Sequence, residues 1–145
     1  MENEQKSVRE FHKKFGLVVN DSPTVPSTHD RIRVAKLIFE EFLEYCEAAG
    51  LVTNLTWQAS FVVVSECDLV EVADALSDLA YVVKGGNVTF GIDAEPVFNE
   101  VHRSNMTKEG GAIRPDGKFI KPETYSKADI APIILQQMLE HGSAP

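Results

Sequence analysis

Carboxylates at helical spacing are the residues of this chain best suited to do chemistry. Glu41 and Glu44, three apart in Glu41-Phe42-Leu43-Glu44, project to the same side of a helix. Glu71, Asp74 and Asp78 follow one another at i, i+3 and i+7, again one stripe by helical spacing. Acids stacked this way repel one another and weaken a solvated helix modestly, whereas a hard divalent cation turns the same stripe into a ligand set of oxygens. A recruited cation also lets an acidic protein hold a phosphate-rich small molecule. The formal charge of −8 disfavours nonspecific binding to a nucleic acid backbone, which depends on Lys and Arg displacing counterions.

The elements that must position these acids read as helices. Ser7-Val8-Arg9-Glu10 matches a capping box, and the helix it opens stops at Gly16. A loop rich in Asp, Ser and Pro leads to Ser27-Thr28-His29-Asp30, which opens a second helix running without Gly or Pro to Gly50. Leu51 to Ser65, with Trp57, Phe61 and Val62 to Val64, suits a short helix or a strand equally, and we read it as helix. Helical periodicity returns from Glu66 to about Lys84, ending at Gly85-Gly86 or carrying on to Phe90. Asp93 caps a helix to about Lys108, with Pro96 in its first turn. Gly110-Gly111, Pro115 and Asp116-Gly117 mark a loop, and Ser126 caps a last helix from Ile130 to about Glu140, after which residues 141–145 should fray. The expected fold is all-α and a single domain over residues 1–145.

Cys46 and Cys67 each fall within a predicted helix without metal-ligand spacing, so we expect reduced packing thiols. No apolar run approaches the roughly 18 residues of a membrane span, and Met1 to Lys6 lack a secretory pattern, which points to a cytoplasmic protein. Around the second helix, Val34, Leu37, Ile38, Phe42, Tyr45 and Ala48 share an apolar arc opposite Arg33, Lys36, Glu40 and Glu47. Glu41 falls inside the arc and Glu44 on its border. An ionised Glu there is costly unless a cation meets it, and an Arg or Lys partner serves as well as a metal. The arc extends past Ile32, Phe39, Leu43 and Cys46, wider than one neighbouring helix covers, so a subunit partner is expected.

Taken together, Glu41-Phe42-Leu43-Glu44 and Asp74-Ala75-Leu76-Ser77-Asp78 resemble the paired E-x-x-E and E-x-x-D helices of the all-α nucleoside triphosphate pyrophosphohydrolases. That superfamily includes MazG-like proteins, dimeric dUTPases and phosphoribosyl-ATP pyrophosphohydrolases. Phe90-Gly91-Ile92-Asp93, Glu100-Val101-His102-Arg103-Ser104-Asn105-Met106-Thr107-Lys108, Asp116-Gly117-Lys118 and Lys121-Pro122 are similar to its phosphoribosyl-ATP pyrophosphohydrolase-like branch. Where the pattern expects a Glu three residues before Asp78 this chain has Ala75, which leaves Asp74 to substitute as a ligand and Glu71 to help.

The resemblance implies a MazG-like helical bundle, dimeric or a dimer of dimers. It implies Mg²⁺, or Mn²⁺, held by Glu41, Glu44, Asp74 and Asp78. The implied reaction splits a nucleoside triphosphate, dUTP among the candidates, into the monophosphate and pyrophosphate, with Glu40 or Glu44 taking the proton of the attacking water. Arg103, Lys108, Lys118 and Lys121 are the candidates to bind phosphate, and Asn105 to bind base or sugar. Arg103 and Lys108 also suit a helix C-terminus, Asn105 suits a turn, and His102 suits simple packing. The remaining alternatives are hydrolysis of phosphoribosyl-ATP and a noncatalytic nucleotide-binding helical dimer.

Overall fold

The computed structural model of the chain describes residues 3–54, 60–118 and 120–141. Its elements are α1 (Asn3–Lys14), α2 (Thr28–Ala48), β1 (Leu51–Asn54), β2 (Ser60–Val63), α3 (Leu69–Phe90), α4 (Ala94–Met106) and α5 (Ala131–Glu140). Helices dominate, and the fold is all-α with one small two-stranded sheet among the described residues.

Each long helix starts at a residue able to cap it. The Ser27 hydroxyl accepts from Asp30 N–H (3.0 Å), and the Asp68 carboxylate accepts from Val70 N–H (2.9 Å) and Glu71 N–H (3.3 Å). α2 and α3 pack antiparallel. Near one end Arg33 Nη2 donates to Thr89 Oγ1 (3.4 Å), and a Cβ at Gly86 would lie 3.2 Å from Val34 Cγ1. At the other end Asp68 N–H donates to Ala48 C=O (3.1 Å). Gly85 likewise lets α1 come close, since a Cβ there would sit 3.1 Å from His12 Nε2. Val8, Cys46, Ala75 and Val88 are the fully buried apolar residues of this three-helix contact. The Phe11 ring meets Tyr81 edge-on, with centroids 5.6 Å apart.

Two buried glutamines fasten the turn into α4. Gln5 of α1 donates to Ile92 C=O (2.6 Å) and accepts from Ala94 N–H (3.1 Å), while Gln137 of α5 accepts from and donates to Asp93 backbone, both at 3.0 Å. Each amide supplies one donor and one acceptor, so neither is left unpaired inside.

Several expectations are corrected. Within the segment read as helix over 51–65, β1 and β2 instead pair antiparallel, with Leu51 opposite Val63 and Val52 opposite Val62. Gly50 at φ 70 ends the helical path, and the β-branched run Val62 to Val64 suits an extended chain. Trp57 lies outside the described residues, as do residues 142–145 of the tail expected to fray. Ser7 does not start α1, which begins at Asn3, and its hydroxyl instead donates back to Asn3 C=O (3.3 Å). α3 begins at Leu69, after the exposed Cys67, and runs through Gly85-Gly86 to Phe90, because both glycines sit in tight contacts that hold them helical. Cys46 and Cys67 are free thiols. α4 stops at Met106, short of Lys108. α5 begins without a side-chain cap at Ile130, and Ser126 is engaged elsewhere. No helix among the described residues is long and apolar enough to cross a membrane.

Candidate active site

The antiparallel pairing of α2 and α3 sets the acids of one helix against those of the other. Glu41 stands at the centre. Its Oε2 is buried and has no hydrogen-bond partner among the described residues. Burial pushes its carboxyl above the ordinary range, and the charges of Glu44, Asp78, Glu40 and Asp74, in that order, push it the same way. The other four predicted catalytic or metal-binding acids therefore all act electrostatically on Glu41. No ion pair joins Glu41 to an Arg or Lys among the described residues, so the salt-bridge alternative has no partner there.

Beside this centre, Glu44, Glu47, Glu66, Asp68, Glu71 and Asp74 line a cleft of about 370 Å³ with Ala48 and Ala75 at its base. Ala75 is buried in the helix contact, whereas Glu71 and Asp74 are exposed and able to turn toward the cleft. Among the described residues, no three His, Cys, Asp or Glu side chains converge closely enough to enclose a metal ion. Mutual repulsion keeps unscreened carboxylates apart, and their oxygens are the donors that hard cations take.

The basic candidates form a second group on α4 and the segment behind it. Arg103 is fully engaged. Its Nε and Nη2 each lie 2.8 Å from the Glu100 carboxylate, Nη1 donates to Ser126 Oγ (3.2 Å) and Nη2 to Lys127 C=O (3.2 Å). Lys108 Nζ donates to Asn105 Oδ1 (2.7 Å), so these two candidates meet each other. Lys121 Nζ lies over the Tyr125 ring, 4.7 Å from its centroid. Lys118 is held in its loop by backbone bonds, its N–H to Asp116 Oδ1 (3.2 Å) and its C=O to Arg114 N–H (2.9 Å). His102 is exposed. No hydrogen bond or ion pair among the described residues links this group to the carboxylates.

Tyr125, to which the sequence reading gave no role, stands beside the basic candidates. Ser104 Oγ donates to its hydroxyl (3.2 Å), which lowers the phenol below its usual range, and Lys121, Lys108 and Lys127 lower it further. It thus gathers two predicted lysines and an unpredicted one. A buried Ser104 flanked by Arg103 and Thr107, one helical turn of polar groups facing the following segment, is the signal that could have found it.

The Glu100 clasp yields a pH dependence. Arg103 and the Asp129 N–H (2.8 Å) hold Glu100 down to about 2, below its ordinary 4.5. A depressed carboxylate contributes stability that is fully present above its unfolded pKa and is lost as pH falls through the folded one. Residues 125–129 should therefore loosen from α4 as pH falls from about 4.5 to about 2. Limited proteolysis should find the same loosening already at neutral pH in Glu100→Gln.

The class of protein is given by the family match: an all-α nucleotide pyrophosphohydrolase of the MazG-like superfamily, a hydrolase of phosphoanhydride bonds. Residues 8–105 match the phosphoribosyl-ATP pyrophosphohydrolase family, and the chain belongs to that family. The match takes in every candidate catalytic or metal-binding acid together with Arg103 and Asn105, and stops before Lys108, Lys118 and Lys121. No curated protein matches the chain.

Proposed function

We propose that the chain hydrolyses a ribo- or deoxyribonucleoside triphosphate, with dUTP among its candidate substrates, to the monophosphate and pyrophosphate. The observation that carries this reading is Glu41, a carboxylate with one oxygen shut away unpartnered while four other carboxylates press on it. That oxygen set fits Mg²⁺, or Mn²⁺, better than it fits any side chain.

Glu41, Glu44, Asp74 and Asp78 would hold the ion, with Glu71 in reserve on the same helix. Bound there, a divalent cation supplies charge for phosphate oxygens and lowers the pKa of a water. Glu40 and Glu44 are both exposed, which leaves one of them free to accept the proton of the attacking water. Lys108, Lys118 and Lys121 neutralise phosphate in this reading, and Asn105 presents its amide NH₂ to base or sugar while Lys108 occupies its oxygen. Arg103, already committed to Glu100, acts by holding the segment that carries Tyr125 and Lys127. A cytoplasmic location suits such substrates.

A second reading, hydrolysis of phosphoribosyl-ATP, is favoured by the family match itself. One panel separates the two. Ribo- and deoxyribonucleoside triphosphates and phosphoribosyl-ATP are incubated with Mg²⁺ or Mn²⁺, the products are resolved, and Glu41→Ala is run alongside. Monophosphate and pyrophosphate from a nucleoside triphosphate, lost in the variant, is the expected result. Turnover of phosphoribosyl-ATP alone would establish the second reading, and no turnover of any member would leave a nucleotide-binding dimer.

A further inference from the structure

A cavity of about 280 Å³ opens at the end of the bundle away from the carboxylates. Its walls come from α1, the loop at Asn20-Asp21, the end of α3, the turn into α4 and the end of α5. Val88, in its wall, follows Asp78 by three turns of α3, about 15 Å at 1.5 Å per residue. Gln5 and the α5 residues lie outside 8–105, so the family match accounts for only part of this cavity.

Hydrogen-bond donors are in surplus here. Gln5 is 1% exposed and Gln137 7%, and each amide NH₂ makes one bond, to Ile92 C=O (2.6 Å) and Asp93 C=O (3.0 Å) respectively. Each therefore keeps a second N–H with no partner among the described residues, and a buried donor left so is costly. Arg9 donates through Nη1 to Asn20 C=O (3.1 Å) and through Nη2 to Asp21, and its Nε–H has no partner among the described residues. The Asp21 carboxylate is 79% exposed and screened by water, whereas the Arg9 side chain is only 18% exposed, so the guanidinium retains attraction for a second anion.

These donors call for a charged acceptor, and a phosphate is the wrong one. Asp21, Asp93 and Glu140 also line the cavity, and three carboxylates against one guanidinium repel a multiply charged anion. A carboxylate that carries its own ammonium answers both sets of groups. Val88 and Ile92 add an apolar stretch of wall. At the roughly 30 Å³ that a water molecule takes up, the volume suits about nine non-hydrogen atoms.

We propose that this cavity binds a small aliphatic α-amino acid as its zwitterion, of the size of valine or leucine, with the carboxylate on Arg9 and the two glutamine N–H groups and the ammonium toward Glu140. The inference rests on this cavity alone and is independent of the metal and of the substrate. The ligand touches α1, α5 and the α3–α4 turn together and binds only the folded chain, so it should raise the Tm.

The test is isothermal titration calorimetry of the full chain with L-valine, L-leucine and L-isoleucine. The expected result is one site per chain for at least one of them, with a Kd of about 10 µM to 1 mM for a ligand of this size. Two analogues of that amino acid, the acid without its amine and the amine without its carboxylate, should bind at least about tenfold more weakly. Arg9→Lys keeps the charge beside Asp21 but loses the planar fork, and Glu140→Gln removes a charge at an exposed position of α5, so circular dichroism should show both folded. Each should weaken the amino acid about tenfold. Glu140→Gln should leave the affinity for the amine-free acid unchanged, since that analogue offers Glu140 nothing. No binding of any of the three amino acids, analogues that bind as tightly, or binding untouched in both variants would overturn the proposal.

Discussion

Glu41→Gln is expected to make the metal-free protein more stable and the enzyme nearly inactive. At neutral pH the folded chain holds Glu41 against burial and four like charges, and Gln keeps the shape while removing the charge. Relief of the repulsion should raise metal-free stability by about 1 kcal/mol, a Tm gain of roughly 3 °C for a chain of this size. Loss of a ligand oxygen should lower kcat on the order of 100-fold or more. Calorimetry in chelator and then in excess Mg²⁺ checks both halves. The wild type should gain Tm on adding Mg²⁺, since an ion that binds only the folded state stabilises it, and the variant should gain little. A variant less stable than wild type in chelator would mean that Glu41 is held by a cation of the protein itself, and the metal assignment would fall with it.

The opposite signs expected for stability and turnover follow from a tension visible in the sequence. Glu41 lies among the apolar positions of its helix, and a carboxylate there calls for a positive partner. Helical spacing was enough to place Glu41 and Glu44 on one side and Asp74 and Asp78 on another, because a helix fixes the direction of each side chain from its number alone. The caps Ser27, Asp68 and Asp93 are similarly local, although Asp68 was passed over in favour of an earlier start at Glu66. What spacing could not supply was contact between distant segments. The β1–β2 pair depends on cross-strand pairing that no local pattern reports, and its valines fit either reading until a partner strand exists. Continuation of α3 through Gly85-Gly86 depends on His12 and Val34 filling the space where side chains would be. Arg103 shows the same limit at the site. As a residue type it suits phosphate, yet Glu100 three positions earlier and the Ser126-Lys127 segment claim its guanidinium, and only the latter is hidden from sequence.

Gly91→Ala is expected to be strongly destabilising. Gly91 ends α3 at φ 70, where an L side chain is strained by about 1–2 kcal/mol, and an added Cβ would also overlap the Ser22 carbonyl and come within 2.9 Å of Asn20 Cβ. Neither neighbour can yield cheaply. Asn20 N–H and Nδ2 donate to Val88 C=O (3.2 Å) and Thr89 C=O (2.6 Å), and Thr24 N–H donates to Phe90 C=O (2.8 Å), so the 20–24 loop is bonded to the very end of α3. Gln5 and Gln137 hold the next two residues from the other side. Strain and overlap together should cost on the order of 3 kcal/mol or more, read as a lower urea midpoint with an unchanged m-value. The turn stands at the opposite end of α3 from Glu71 and Asp74, so the fraction that remains folded should turn over substrate at the wild-type rate. A folded Gly91→Ala protein with a reduced rate would instead show that the α3–α4 turn sets the geometry of the site, and would move the substrate-binding contribution of α4 from its side chains to its angle.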